Sequence, residues 1–246
     1  MASRSPAEKL LTKVHGTTSR RQQYSASTKR ALIDVAGGLF TTQGYAGTSL
    51  DSIVSGARVT KGALYHHFSG KQAVFEAVFE KVESDANRSI QNALKGSKDP
   101  WAKAVAGLRA FLAVVQQPAY QRIVIQEGPA ILGYERFREQ EERSSYAIVQ
   151  EIVRAVLKAG DFELDDEMTH VFSRIFFGAM SAAGETVTSS DDPALAVARV
   201  ETAMSFILSG LRSLSDLGVE LPDPEDIVDR DDGIRSRGTE QASGRD

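Results

Sequence analysis

From Ser27 onward apolar residues fall at three- and four-residue steps: Leu32, Val35, Ala36, Leu39 and Phe40. That spacing marks the buried face of a first helix, and Gly44 follows as a left-handed stop. Thr48 is expected to cap a short second helix, with Asp51 at its third position and Leu50, Ile53, Val54 and Ala57 turned inward. After a break at Arg58 and Val59, Thr60 caps a third helix, TKGALYHHF, with Leu64 and Phe68 inward and Lys61, Gly62, Tyr65 and His66 on the opposite face. Ser69 then opens a fourth, in a capping box with Gln72, and Val74, Phe75, Val78, Phe79 and Val82 form its stripe.

The rest of the chain keeps a period near 3.6, with breaks at Pro100, Pro118, Gly128-Pro129, Gly133, Gly160 and Pro193. Helices are expected over about 100–116, 118–127, 134–159, 165–189 and 193–217, so the fold class is all-α with about nine helices. A three-helix helix-turn-helix unit comes first and a helical body follows. Residues 1–24, with Arg4, Lys9, Lys13, Arg20 and Arg21 and little apolar periodicity, read as a flexible basic arm. The helix-turn-helix domain then covers 25–82 and the body 83–219. From Glu220 the chain is rich in charges and turn formers, and residues 220–246 read as a disordered tail.

Composition narrows the chemistry. The chain has no Cys, which removes disulfides, thiolate metal sites and thiol nucleophiles and suits a reducing compartment. The N-terminus lacks the apolar core of a signal peptide and no unbroken apolar run reaches membrane-span length, so a cytoplasmic location is expected. A formal net charge of −4 hides an asymmetry: residues 1–82 carry 11 Lys and Arg against 5 Asp and Glu, whereas 83–246 carry 18 against 28. The basic front suits a phosphate backbone. No nucleophile elbow or phosphate loop occurs. His66 and His67 are adjacent, about 100° apart on a helix and poorly placed to share a metal. Neither an enzyme nor a metal or other cofactor is therefore expected.

Two short helices joined by a tight turn fit a groove about 12 Å wide, one helix entering and the other bracing it. Small or polar residues in the entering first turn allow close approach to base edges, as Thr60, Lys61, Gly62 and Ala63 do. Gly62 costs about 1 kcal/mol relative to Ala in a helix, which suggests that closeness matters there. Lys71 opposes the helix dipole in the fourth helix's first turn, so a nearby phosphate would rationalise it.

The stretch ALIDVAGGLFTTQGYAGTSLDSIVSGARVTKGALYHHFSGKQAVFEAVF, with its core TKGALYHHFSGKQ, resembles the DNA-binding domain of the TetR family of regulators. The resemblance implies base or groove contacts from Thr60, Lys61, Gly62 and Ala63, and phosphate contacts from Thr48, Tyr65, His66 and Lys71, with Ser49 a weaker candidate. Arg58 stands where the family's turn usually has Gly, and Val54 where its second helix usually has Ala. The family further implies a homodimer through the last two helices, a roughly palindromic double-stranded DNA operator and a small-molecule effector whose binding releases DNA. In the last helix Val197, Val200, Met204, Ile207, Leu211 and Leu214 form one seam, with Leu195, Phe206 and Leu208 off it. For the effector pocket the aromatic candidates are Trp101, Phe111, Tyr120, Phe137, Tyr146, Phe172 and Phe176, with Phe177 beside them. Glu127, Arg109 and His170 are the polar candidates, and an apolar or aromatic effector is expected. The reading is a ligand-released repressor; the alternatives are an activator of the same family and a helical adaptor that does not read DNA.

Overall fold

The computed structural model describes residues 6–222 except 163. Among the described residues it is all-α, with ten helices and no strand. Helix α1 spans Pro6–Gly47, α2 Leu50–Ala57, α3 Lys61–His67, α4 Lys71–Leu94 and α5 Pro100–Val115. A π-helical α6, Tyr120–Glu127, runs into the short α7, Gly128–Leu132. Three long helices complete the chain: α8 Tyr134–Ala159, α9 Asp166–Thr188 and α10 Pro193–Asp216.

The first helix, from Pro6, reaches back into the stretch read as a flexible basic arm. Residues 7–23 have little to bury, yet Ala, Glu, Lys, Leu, Gln and Arg are frequent there, and these residues form helix readily without a packed face. At the other end, Gly44 breaks the helical backbone with φ 72° and ψ 173°, a positive φ as expected. Residues 1–5 and most of the tail assigned to 220–246 lie outside the described residues.

Two caps fall one residue later than expected. Ser49, not Thr48, caps α2: its hydroxyl accepts the Ser52 N–H at 3.0 Å and the Ser52 hydroxyl answers the Ser49 N–H at 3.2 Å. Asp51 therefore sits at the second helical position, where its charge still suits the N-terminus. Gly70, not Ser69, precedes α4, and Gln72 instead donates to the Ile131 carbonyl at 2.9 Å. Thr60 caps α3 as expected, accepting the Ala63 N–H at 3.2 Å.

The head is packed on one apolar core. Leu32, Ala36 and Phe40 of α1 meet Ile53 of α2, Leu64 of α3 and Val74, Phe75, Val78 and Phe79 of α4. Phe40 and Phe75 meet edge to face at 5.3 Å between centroids, a geometry that adds to area burial. Gly56 lets α2 press against α1: a Cβ there would lie 2.7 Å from Val35 Cγ1. The same core continues into Ile123 and Val124 of α6 and Leu132 of α7, so the head and the body share apolar contacts. A second core joins α5, α9 and α10 through Leu108, Leu112, Val187 and Met204.

Helix α10 is long and apolar enough to cross a membrane by length and hydropathy alone. A search for unbroken apolar runs passes over it because Arg199, Glu201 and Thr202 interrupt the pattern. Its apolar residues lie on more than one side. Phe206 is 80% exposed and Ile207, Leu214 and Leu217 are exposed too, beside Ile175 of α9 at 63%.

Candidate functional site

Helix α3 presents one face to the core and the other outward. Leu64 and Phe68 are buried at a four-residue step, which turns Lys61, Gly62, Tyr65 and His66 to the surface. Tyr65 is 54% exposed. Among the described residues outside its own helix backbone, a Cβ at Gly62 would meet only the cap, Thr60 Oγ1, at 3.9 Å. Packing gives no reason for glycine at this position.

Lys61 lies 2.7 Å from Asp51 Oδ1 on α2, and this hydrogen-bonded ion pair raises the Lys61 pKa. The pair bridges the two helices of the motif. At the far end of α3, His67 packs beside Phe68 and His66. Partial burial, with the neighbouring His66 and Lys29, holds its pKa below the ordinary histidine value. Lys29 sits 5.7 Å over the Phe68 ring. This lysine lies in a helix read only for its apolar stripe, so sequence reasoning passed over it. The turn between α2 and α3 is closed by Arg58 with φ 54°, ψ 42°, a left-handed conformation that costs a residue with a Cβ about 1–2 kcal/mol.

Two residues expected to meet phosphate have internal partners in the DNA-free chain. Thr48 is 1% exposed and its hydroxyl donates to the Gly44 carbonyl at 2.8 Å. The Lys71 ammonium donates to the carbonyls of Tyr45 at 2.7 Å and Thr48 at 2.9 Å, and lies 4.2 Å from the Tyr45 ring centroid. A cation in the first turn of α4 is thus rationalised by two carbonyls of the α1–α2 turn. Ser49 remains exposed, with its hydroxyl in the α2 cap.

The body holds a partly open cavity of about 330 Å³, lined by residues of α4, α5, α6, α7, α8, α9 and α10. Phe111, Tyr120, Phe137, Phe176 and Phe177 line it, as expected of aromatic candidates. Trp101, Tyr146, Phe172 and Glu127 do not. Trp101 packs with Ala104 and Val156, and the Tyr146 hydroxyl pairs with His170 Nδ1 at 3.0 Å. Glu127 faces the head, where its carboxylate accepts the Tyr45 N–H at 2.9 Å and pairs with Arg122 Nε at 3.1 Å. Arg109 holds Glu201 of α10 at 2.7 Å. The sequence reading missed Glu83 of α4, which is 3% exposed and lines the cavity. A carboxylate directly after the last residue of an apolar stripe resembles any solvated helix position, so only its burial distinguishes it.

A three-helix head packed on its own core, with one face of the second short helix turned outward, set on a helical body with a cavity, is the plan of a helix-turn-helix DNA-binding regulator. The profile described as "Bacterial regulatory proteins, tetR family" matches residues 32–78, and "Tetracyclin repressor-like, C-terminal domain" matches 101–211. The chain belongs to the TetR family of transcriptional regulators.

Among curated relatives, the HTH-type transcriptional regulator AcrR of Shigella flexneri is 39% identical over 66 residues, 27% of this chain and 31% of AcrR. The regulator TtgW of Pseudomonas putida is 31% identical over 101 residues, covering 41% of this chain and 75% of TtgW. The chain thus spans less than a third of AcrR's length. A TetR-family regulator from Pectobacterium atrosepticum superposes with a TM-score of 0.65 at 26% identity, over 77% of this chain and 96% of that one. AibR, solved with isovaleryl coenzyme A and operator DNA, has a TM-score of 0.53 at 19% identity, covering 73% and 97%. At that identity the likeness is one of fold.

Proposed function

We propose that this protein is a ligand-released repressor that binds a palindromic operator as a homodimer in the cytoplasm, without catalytic activity. The observation that carries the reading is the outward face of α3. Its first turn holds a glycine that no internal contact requires, between the capping Thr60 and a half-buried Ala63, and Tyr65 and His66 follow on the exposed side. A backbone free of side chains at that point suits approach to base edges in the major groove. Thr60, Lys61, Gly62 and Ala63 would meet the groove. Tyr65, His66 and Ser49 would meet phosphate, with Lys71 holding the turn that positions them.

Homodimer formation is supported by the apolar surface of α9 and α10, where Ile175, Phe206 and Leu217 stand in water in the single chain. Two heads spaced by about 34–36 Å would engage successive major grooves, and linking two weak sites multiplies affinity. AibR, which shares the fold, is a protein solved with both an acyl-coenzyme A and operator DNA. The cavity of this chain lies between α4, α5 and α6 on one side and the proposed dimer helices α9 and α10 on the other, where an effector could act on both.

The direct test is a mobility-shift assay with the protein's own promoter region, repeated with metabolites and lipophilic compounds that raise its melting temperature. A sequence-selective shift that weakens steeply with salt and is reversed by such a compound supports the proposal. A shift that never forms at low salt rejects operator binding, and one that no stabilising compound reverses rejects ligand release.

A further inference from the structure

We infer that Asp51 is a specificity-determining positioning residue: it holds the Lys61 ammonium off the phosphate backbone and aims it at acceptors on a base edge. The inference rests on the proposed reading of α3 as the groove helix and names what directs its leading side chain. The Asp51 carboxylate, on the second residue of α2, meets the Lys61 ammonium, on the first residue of α3, at 2.7 Å. Both side chains are exposed, so DNA can reach the pair as it stands.

Asp51 is the only acidic residue between Ser49 and Phe68. The other carboxylates of the head are engaged with different helices. Asp34 lies 3.9 Å from Lys81 of α4, Glu76 pairs with Arg136 of α8 at 3.3 Å, and Glu80 accepts from Gln140 of α8 at 3.2 Å. A carboxylate on the proposed DNA side repels phosphate, and an exposed ion pair adds little to stability. Its charge suits the N-terminus of α2, but that role needs no contact with Lys61. The pairing matters for recognition instead. A lysine is a point charge on a flexible four-carbon stem, so a free Lys61 would settle on the nearest phosphate, and phosphate contacts carry no sequence information. With one N–H donated to Asp51, the ammonium is drawn less to phosphate, and its two remaining donors keep a direction fixed by α2. Two donors match the O6 and N7 acceptors that guanine presents in the major groove.

The test uses the full chain as wild type, Asp51→Asn, Lys61→Ala and the double variant. Each selects duplexes from a random pool, and each is titrated by fluorescence anisotropy, over a range of salt, on the wild-type selected duplex and on an unrelated one. Asp51→Asn should raise affinity for the unrelated duplex at least about threefold and steepen its salt dependence by about one unit of slope. It should cut the ratio of selected to unrelated affinity at least about tenfold, and relax the motif at the G·C positions that Lys61→Ala relaxes. In the Lys61→Ala background the same substitution should move each affinity by less than about twofold. A gain on the unrelated duplex that persists without Lys61 reports only a negative charge lost from the head, and overturns the inference. If Asp51→Asn fails to fold, Asp51→Ser, whose hydroxyl suits the start of a helix, is held to the same expectations. A wild type that selects no motif, or a motif that Lys61→Ala leaves intact, removes the groove reading of α3 and this inference with it. A motif that Lys61→Ala relaxes and Asp51→Asn does not removes this inference alone.

Discussion

Glu127, at the C-terminal end of α6, accepts the backbone N–H of Tyr45 at 2.9 Å, and so fastens the body to the turn that leads into the helix-turn-helix. The carbonyl of the same Tyr45 is held by Lys71 at 2.7 Å. Both polar groups of one peptide-linked residue are therefore fixed by ionised side chains, one from the body and one from α4. Gly44 makes room: a Cβ there would collide with the Arg122 guanidinium and lie 2.7 Å from Glu127 Oε1. Helix α6 also lines the cavity through Tyr120, Val124 and Ile125. One helix thus touches the proposed effector and the entry to α2, a short route by which a ligand that displaces α6 would loosen the head.

Glu127→Ala should weaken ligand-free operator binding about tenfold, because a charge-assisted hydrogen bond contributes about 1.5–3 kcal/mol and 1.4 kcal/mol is a factor of ten. The dimerisation constant, measured by analytical ultracentrifugation, should stay unchanged. Unaltered operator affinity in this variant would mean that the contact does not hold the head in its binding conformation.

Gly62→Ala separates folding from recognition. With open space around the position, the added methyl should stabilise the chain by up to about 1 kcal/mol through helix propensity, raising the melting temperature slightly. The same methyl would stand between α3 and the base edges, so operator affinity should fall. Full affinity with raised stability would show that the first turn of α3 does not approach DNA closely.

Arg58→Gly addresses the left-handed turn. Glycine relieves a cost of about 1–2 kcal/mol but loses about 0.5–1 kcal/mol in chain entropy, so a net gain of up to about 1.5 kcal/mol is expected in denaturant unfolding of the free protein. A loss of stability would show that the Arg58 side chain contributes more than its φ of 54° costs.

Charge placed on the exposed apolar face should prevent self-association. Phe206→Glu, at a position 80% exposed in the single chain, should leave the melting transition of the monomer near its original value and shift sedimentation from dimer to monomer. A dimer that persists in this variant and in Ile175→Glu would place the interface elsewhere.

Much of this was legible in the sequence because Gly and Pro punctuate the chain. The long helices α5, α8, α9 and α10 fall within about two residues of their expected ends, since each break is a proline or glycine that the backbone cannot ignore. The outward face of α3 was legible for a similar reason: Leu64 and Phe68 fix which side is buried. The caps were less so. Thr48 and Ser49 are adjacent hydroxyls, and the deciding partner, Ser52, is not the usual Glu or Gln of a capping box. The π-helical winding of α6 leaves no compositional mark. The cavity was half legible. Periodicity says that a helix has an apolar side, but in a body of several helices it does not say which aromatic, Phe111 or Trp101, turns to a void and which to a neighbour. Long-range pairs such as Glu127 with Tyr45 are set by tertiary packing across 82 positions of sequence.

The central claim, that α3 reads base edges, is tested most directly by selecting bound duplexes from a random pool with the wild-type protein and with Lys61→Ala, and sequencing both. The account predicts a palindrome with half-site centres about one helical turn apart for the wild type, and a motif degraded at specific positions for Lys61→Ala, while Tyr65→Ala lowers yield without changing the motif. No enriched motif with the wild type, or an identical motif from Lys61→Ala, would contradict it.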